Sequence, residues 1–447
     1  MSIETFKEQY GNNKSQLVYK WISGDLETPV SAYLKLCQNQ AYSFLLESVE
    51  GGITLGRYSI IGTNPDLLWR CKKGGKVSMR DANGQWTESD IDARQSLAEI
   101  INTATLDYIP NDVPPMCAFG MFGYIGYDMA RLNENIPDTN TDDLKIPDSI
   151  LMRPSLLVIF DNVKNMICIA TPVYAHAKNS VLPADVAYND AYTRIEKVLN
   201  ALYAPLDRKL LDHETHLKLG QKIKSNTHKD DYKKAVSKAV EYIRAGEIFQ
   251  VVTSQRFSID YDLPSFELYR SLRSINPSPF LFHLSFEGFS LVGSSPEILV
   301  RVRNNTITIR PIAGTRKRGK DAIEDNALAQ DLLSDEKERA EHLMLLDLGR
   351  NDVGRVAETG SVKVTQQFQI EYYSHVMHII SNVEGKLKKN CSIIDALYAG
   401  FPAGTVSGAP KIRAMEIIDE LESSRRGAYG GGIGYFSKNA MDSCIAL

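Results

Sequence analysis

Apolar runs of strand length dominate residues 1 to 175. Tyr42-Ser43-Phe44-Leu45-Leu46-Glu47-Ser48 and Leu55-Gly56-Arg57-Tyr58-Ser59-Ile60-Ile61, separated by a Gly51-Gly52 turn, predict a hairpin. A second is predicted where Leu156 to Phe160 and Met166 to Ala170 flank Asp161-Asn162. From about 205 to 230 the pattern turns polar and contains His213, His216 and His228, the composition of a surface helix or linker with solvated histidines. Apolar residues then recur at helical spacing (Ala235, Ala239, Val240, Ile243), predicting a helix from Asp231 that leads into a strand around Val251. Strands follow over Phe280–Phe286, Phe289–Val292 and Ile298–Val302, then a long helix from Asn326 to Leu348. A strand Tyr372–Val383, a glycine-rich loop, a helix Pro410–Glu422 and a last strand opened by Gly430-Gly431-Gly432 complete the pattern. This order predicts an N-terminal lobe over 1–175, a linker over 176–230 and a second lobe over 231–447.

The length of 447 residues with 43% hydrophobic content supports two lobes with a large core. A net charge of -4 with dispersed Lys and Arg gives no footprint for nucleic acid or an anionic membrane. The N-terminus lacks a basic start followed by an apolar run, so a cytoplasmic location is expected. Six cysteines without a CxxC pair argue against disulfides or zinc and predict buried thiols. Gly123-Tyr124-Ile125-Gly126-Tyr127 echoes Gly432-Ile433-Gly434-Tyr435, and Ser48-Val49-Glu50-Gly51 echoes Ser285-Phe286-Glu287-Gly288. Similar sheets in both lobes and chance likeness of aromatic-glycine strands both account for this.

Three stretches carry candidate chemistry. Gly404-Thr405-Val406-Ser407-Gly408-Ala409-Pro410-Lys411 ends in Pro at a first helical position, so its backbone N–H groups and the helix dipole suit an anion. It lacks the Gly-Lys-Ser/Thr ending of a nucleotide loop, which favours a carboxylate; an ordinary glycine-rich start of a helix is the alternative. Glu338 and Glu341 fall one turn apart on one helix face, where they either bind a hard cation such as magnesium or form a solvated acidic face. His375 and His378, three apart on a strand-like run, point to opposite faces and cannot chelate one metal together.

Gly246 to Val252, Gly293-Ser294-Ser295-Pro296-Glu297, Arg310 to Arg316, Lys337 to His342 with Asp347 to Asp352, Gly404 to Lys411 and Arg426 to Phe436 together resemble the chorismate-utilising enzymes, most closely the anthranilate synthase component I group. Leu45-Leu46-Glu47-Ser48 and Arg57 to Gly62 extend the likeness into the N-terminal half. The resemblance implies an α+β fold of two largely antiparallel sheets facing each other, with helices packed outside. Isochorismate and salicylate synthases of this family place a Lys where Gln250 stands, as the base that activates water; an amide cannot take that proton, and ammonia needs no base. Aminodeoxychorismate synthases place a Lys where Ala313 stands and use its amine covalently, which a methyl group cannot do.

By resemblance, ammonia adds to C2 of chorismate while the C4 hydroxyl departs, and loss of pyruvate gives anthranilate. Glu297 is then the general acid, His378 serves pyruvate elimination, and Gln250 and Thr405 stand beside them. Gly314, Thr315, Tyr429, Gly431 and Gly432 line the substrate pocket, and Glu341, with Glu338 through water, holds Mg2+. Glu47, Ser48, Pro279 and Phe280 resemble a tryptophan inhibitor site, for which the plain alternative is a hairpin packed on a Pro-ended strand. No cysteine stands in a Gly-x-Cys-x-Gly elbow, so ammonia is expected from a separate glutamine amidotransferase subunit. Family members run on past Met441–Leu447 with a substrate-binding Arg, a glycine-rich loop and further Glu ligands, so the catalytic lobe is expected to be cut short here. Aminodeoxychorismate synthesis and an inactive chorismate- or tryptophan-binding regulatory subunit remain the alternatives.

Overall fold

The computed structural model describes residues 1–38, 40–50, 54–82, 84–175, 182–207 and 222–447. His213, His216 and the Gly51-Gly52 turn lie outside the described residues. Two long strands, Tyr58–Lys72 and Ser149–Asp161, pair antiparallel from Tyr58 opposite Asp161 to Cys71 opposite Ser149, with a register shift between Pro65 and Leu67. Each contributes one half to each of two sheet layers.

The first layer adds Gln16–Ser23, Ser43–Glu47, Met166–Val173, Phe280–Ser285 and Ser290–Ser295. The second adds Met121–Ile125, Ile298–Arg303, Thr306–Ile309, Ile312–Lys317, Lys363–Tyr372, Val376–Lys386, Gly432–Phe436 and Met441–Ile445. Every one of these pairings is antiparallel. Both layers draw strands from the first and last parts of the chain. Ser43–Glu47 pairs with Phe280–Ser285, and Met121–Ile125 with Gly432–Phe436, so the echo between residues 123–127 and 432–435 falls on neighbouring strands.

The inner faces meet in a core of Phe44, Ile60, Phe122, Tyr124, Leu157, Phe282, Ile433 and Tyr435, in which Phe44 stacks on Phe122 with ring centroids 4.8 Å apart. Helices Ile3–Gly11, Pro29–Cys37, Ala184–Tyr203 and Ser265–Ile275 bury their apolar faces on the outside of the first layer. Helices Ala93–Ala104, Glu336–Val356, Ile393–Gly400 and Lys411–Leu421 cover the outside of the second. The α+β architecture expected from the sequence is the one observed.

Several boundaries differ from the sequence expectation. The helix expected over Asn326–Leu348 is two helices, Ala322–Ser334 and Glu336–Val356, because Asp335 leaves helical geometry and its carboxylate accepts the N–H groups of Lys337 and Glu338. The strand expected from Tyr372 is broken at Tyr373–His375 and resumes at Val376, where the Tyr373 N–H donates to the Val376 carbonyl. The strand around Val251 is only Gln250–Val251, paired with Gly408–Ala409. The helix expected from Asp231 starts at Lys229, capped by exposed His228. Five cysteines are buried and Cys391 is half-buried, all as free thiols. No helix among the described residues is long and apolar enough to cross a membrane.

Because Phe44 is fully buried between the layers and packs over Gly62, Phe44→Ala should cost about 3–5 kcal/mol of unfolding free energy, read from urea unfolding midpoints. A variant within 1 kcal/mol of the parent would show that the two layers are not held by this contact.

Candidate active site

Glu297 occupies the two-residue passage between Ser290–Ser295, in the first layer, and Ile298–Arg303, in the second. Its backbone is fixed on both sides: the Ser295 hydroxyl accepts its N–H at 3.4 Å, and its carbonyl accepts the Ile445 N–H at 3.1 Å. The side chain is 7% exposed, and its Oε2 accepts the Thr405 hydroxyl at 2.9 Å. Burial pushes the carboxyl up to about 8, while the Thr405 bond pulls the other way. At neutral pH Glu297 is therefore a neutral acid with a proton to give.

His378 lies in the Val376–Lys386 strand with Thr315 opposite it on one side and Glu371 on the other. Its Nδ1 is 3.0 Å from both the Gly314 carbonyl and the Thr315 hydroxyl. A carbonyl oxygen can only accept, so Nδ1 carries the hydrogen and Nε2 keeps the basic lone pair. Burial lowers the imidazole's affinity for a second proton, with the Gly314 bond and the Glu371 charge opposing. His375 is exposed in the preceding turn, 2.8 Å from the Ser374 hydroxyl, so His378 alone is built into this face.

The Asp335 cap begins a new helix, which places Glu338 and Glu341 in its first two turns. Arg316 ties that cap to the neighbouring strand by binding Asp335 at 2.8 Å and Asp331 at 2.7 Å. Glu338 Oε2 consequently lies 3.4 Å from where a Cβ on Gly314 would stand, and Gly314 itself has a φ of +82° that favours glycine. The Gln250 amide donates to Glu341 Oε1 at 3.0 Å, while its own Oε1 is buried without a partner. Among the described residues no group of three His, Cys, Asp or Glu side chains is clustered to hold a metal. Two carboxylates on one helix face are the oxygen donors present for a hard cation, and a magnesium ion, which keeps several of its waters, is compatible with so small a set.

The Gly404–Lys411 loop departs from the anion cradle expected of it. The N–H groups of Val406 and Ser407 are spent on the Ala403 carbonyl, Pro410 caps the helix rather than opening it, and Lys411 turns inward to Asp352 at 2.9 Å. Thr405 is the loop's contribution to Glu297. The Tyr429–Gly432 turn is held beside the Glu297 passage because the Ala446 N–H donates to Gly431 and the Ala446 carbonyl accepts the Gly430 N–H. Gly431 is required there by close approach, since a Cβ would stand 2.4 Å from the Ile125 carbonyl oxygen. Tyr429 is 39% exposed and borders a separate cavity of about 680 Å3 lined by Phe282, Phe289 and Leu291, which includes neither Glu297 nor His378.

Glu47 and Ser48 come together with Pro279 and Phe280, since Leu281 stands opposite Glu47 in the strand register. The Glu47 carboxylate is buried and bound by the Tyr269 hydroxyl and by Arg273 at 2.8 Å. Sequence reasoning missed Arg273 and Tyr269, as it missed Tyr373 and Glu371 beside His378. Each is one more polar or aromatic side chain at a strand or helix position, and only the pairing of distant strands gives it a role.

The sequence model of chorismate binding enzymes matches residues 31–447. The chain is 50% identical to anthranilate synthase component 1 of Cereibacter sphaeroides, covering 100% of this chain and 89% of that protein. It is 44% identical to anthranilate synthase component 1 of Acetivibrio thermocellus, over 95% of this chain and 85% of that one. The crystal structure of anthranilate synthase component I from Streptococcus pneumoniae TIGR4 superposes with a TM-score of 0.76 at 37% identity, covering 95% of this chain and 89% of that one. Matched over nearly its whole length and built of antiparallel sheet layers with helices packed outside, this chain belongs to the chorismate-binding enzyme family.

Proposed function

We propose that this chain is the large subunit of an anthranilate synthase, which converts chorismate and ammonia to anthranilate, pyruvate and water. The observation that carries the reading is a buried carboxyl, Glu297, that burial keeps protonated at neutral pH, and it is supported by His378, whose affinity for a second proton burial lowers. Ammonia forms a bond to C2 with its own lone pair while the C4–O bond breaks, and Glu297 supplies the proton that lets the hydroxyl leave as water. A proton then passes from C2 to His378 Nε2, the enolpyruvyl group departs, and the ring becomes aromatic. An uncharged amide at Gln250 and a methyl at Ala313 provide neither a base for water nor an amine for a covalent step, which supports ammonia as the attacker.

Glu341 and Glu338 would hold a magnesium ion, whose charge would neutralise the ring carboxylate. Gly314, Thr315, Tyr429, Gly431 and Gly432 would line the substrate site. The absence of a Gly-x-Cys-x-Gly elbow supports ammonia delivery by a separate glutamine amidotransferase in the cytoplasm. Glu47, Ser48, Pro279 and Phe280 would form a pocket in which tryptophan inhibits.

The deciding assay supplies chorismate, magnesium and ammonium and follows anthranilate fluorescence. Glu297→Gln should lower kcat by about 10^2 to 10^4, and an aminated, non-aromatic product would instead point to aminodeoxychorismate synthesis. Tryptophan should lower the rate of the parent, and Ser48→Ala should lose that response with its rate in the absence of tryptophan unchanged. A parent indifferent to tryptophan removes the inhibitor pocket.

The Glu297 assignment also has a signature that needs no substrate. Its folded pKa of about 8 lies above the ordinary 4.5, so between these values the folded chain holds a proton that the unfolded chain has released. Stability must then fall as pH rises through that window, by on the order of 4 kcal/mol in total, and level off above it. Urea unfolding at pH 5, 6.5 and 8 should show Glu297→Gln gaining on the parent at each step, and parallel profiles would mean that Glu297 is ionised in the fold.

A further inference from the structure

We propose that Tyr373 is a positioning residue for His378, holding the imidazole neutral and turned with Nε2 toward the reacting carbon. The proposal rests on the anthranilate-forming reading above and assigns a role to a side chain outside that chemistry. Tyr373 is 7% exposed and meets the His378 ring edge-on, with centroids 5.3 Å apart and planes at 69°. Such an edge-to-face contact favours one orientation of the imidazole.

The ring is itself held at both ends. Its backbone N–H donates to the Val376 carbonyl at 2.8 Å, and its carbonyl accepts Arg318 Nη1 at 2.6 Å. At the other end the phenol donates to Glu371 Oε2 at 3.1 Å, an oxygen that also binds Arg310 at 2.9 Å. Glu371 is the strand partner of His378, and its charge favours the imidazolium. Tyr373 therefore acts on His378 twice: its ring excludes water from one side, and its hydroxyl, with Arg310, occupies the carboxylate that would otherwise draw a proton onto the imidazole. The remaining groups around His378 are the Thr315 hydroxyl and Gly314 carbonyl on the Ile312–Lys317 strand, with the Glu338 carboxylate on the helix beyond Gly314. Tyr373 also lies within the electrostatic reach of Glu297.

A residue that merely filled space would leave the proton affinity of His378 unmoved when only its hydroxyl is removed. The first measurement is an NMR pH titration of 15N-labelled imidazoles in the parent, Tyr373→Phe and Tyr373→Ala, with the His378 signals identified by their loss in His378→Gln. We expect the His378 pKa to rise in Tyr373→Phe and further in Tyr373→Ala, with the latter losing the single Nδ1–H tautomer. In the chorismate and ammonium assay, Tyr373→Phe should lower kcat about tenfold with KM within about twofold, and the acidic limb of the rate profile should move to higher pH. A His378 titration identical in parent and Tyr373→Phe overturns the proposal, and because that variant keeps the ring it decides the matter even if Tyr373→Ala does not fold. A parent that forms no anthranilate but whose His378 titration follows Tyr373 sinks the functional reading alone; normal anthranilate formation with an unmoved His378 sinks the positioning role alone.

Discussion

At Pro296-Glu297 the chain passes from one sheet layer to the other through a two-residue connection, and the Glu297 side chain there is taken out of water. Ser290–Ser295 is held in the first layer by Phe280–Ser285, and Ile298–Arg303 in the second by Met441–Ile445. A carboxylate there would need a cation or several donors to stay ionised, and it has one hydroxyl, from Thr405. The acidity of the site thus follows from how the two layers are joined rather than from an added charge. Burial acts on His378 in the complementary sense, lowering the imidazole's affinity for a second proton.

The joining of the layers depends on pairings far apart in sequence. Ser43–Glu47 against Phe280–Ser285 and Met121–Ile125 against Gly432–Phe436 are the seams, and the second carries a weak internal echo seen in the sequence. Where the echo places glycine opposite glycine, Gly123 and Gly434, neighbouring backbone approaches too closely for a side chain. One seam also carries Glu47, so the residues read as an inhibitor pocket lie on the strand that pairs with Phe280–Ser285. Phe280 in turn stands opposite Ser295, two residues before Glu297. A ligand in that pocket would press on the passage that keeps the acid protonated.

Much of this was legible in the chain because strand-length apolar runs and amphipathic helices declare themselves locally. The two hairpins, the strands around 280–302 and the terminal strands are where the pattern placed them. The helix break at Asp335 was less so: apolar spacing continues across it, and the deciding feature is one Asp whose carboxylate competes with the helix for two N–H groups. The Gly404–Lys411 loop shows the opposite limit, since its composition suits an anion cradle, yet its N–H groups are consumed by Ala403 and its Lys by Asp352. Tyr373 and Glu371 were illegible because their role arises only when the Lys363–Tyr372 strand and the turn after it lie beside His378.

Gln250 illustrates how the choice of nucleophile can be written in a neutral side chain. Its N–H donates to Glu341, which fixes which end of the amide faces the carboxylate, because the reverse would set two oxygens against each other. The oxygen left over is buried and unpartnered, a state that costs about 1–3 kcal/mol and survives in a folded protein when something else recovers it. An acceptor of this kind would hold ammonia by an N–H and leave its lone pair free to attack. It could not deprotonate water, and it would add no charge to compete with a cation at Glu341. On the anthranilate-forming reading, selection for nitrogen over oxygen then needs no group that recognises ammonia outright; it needs a buried acceptor and a missing base.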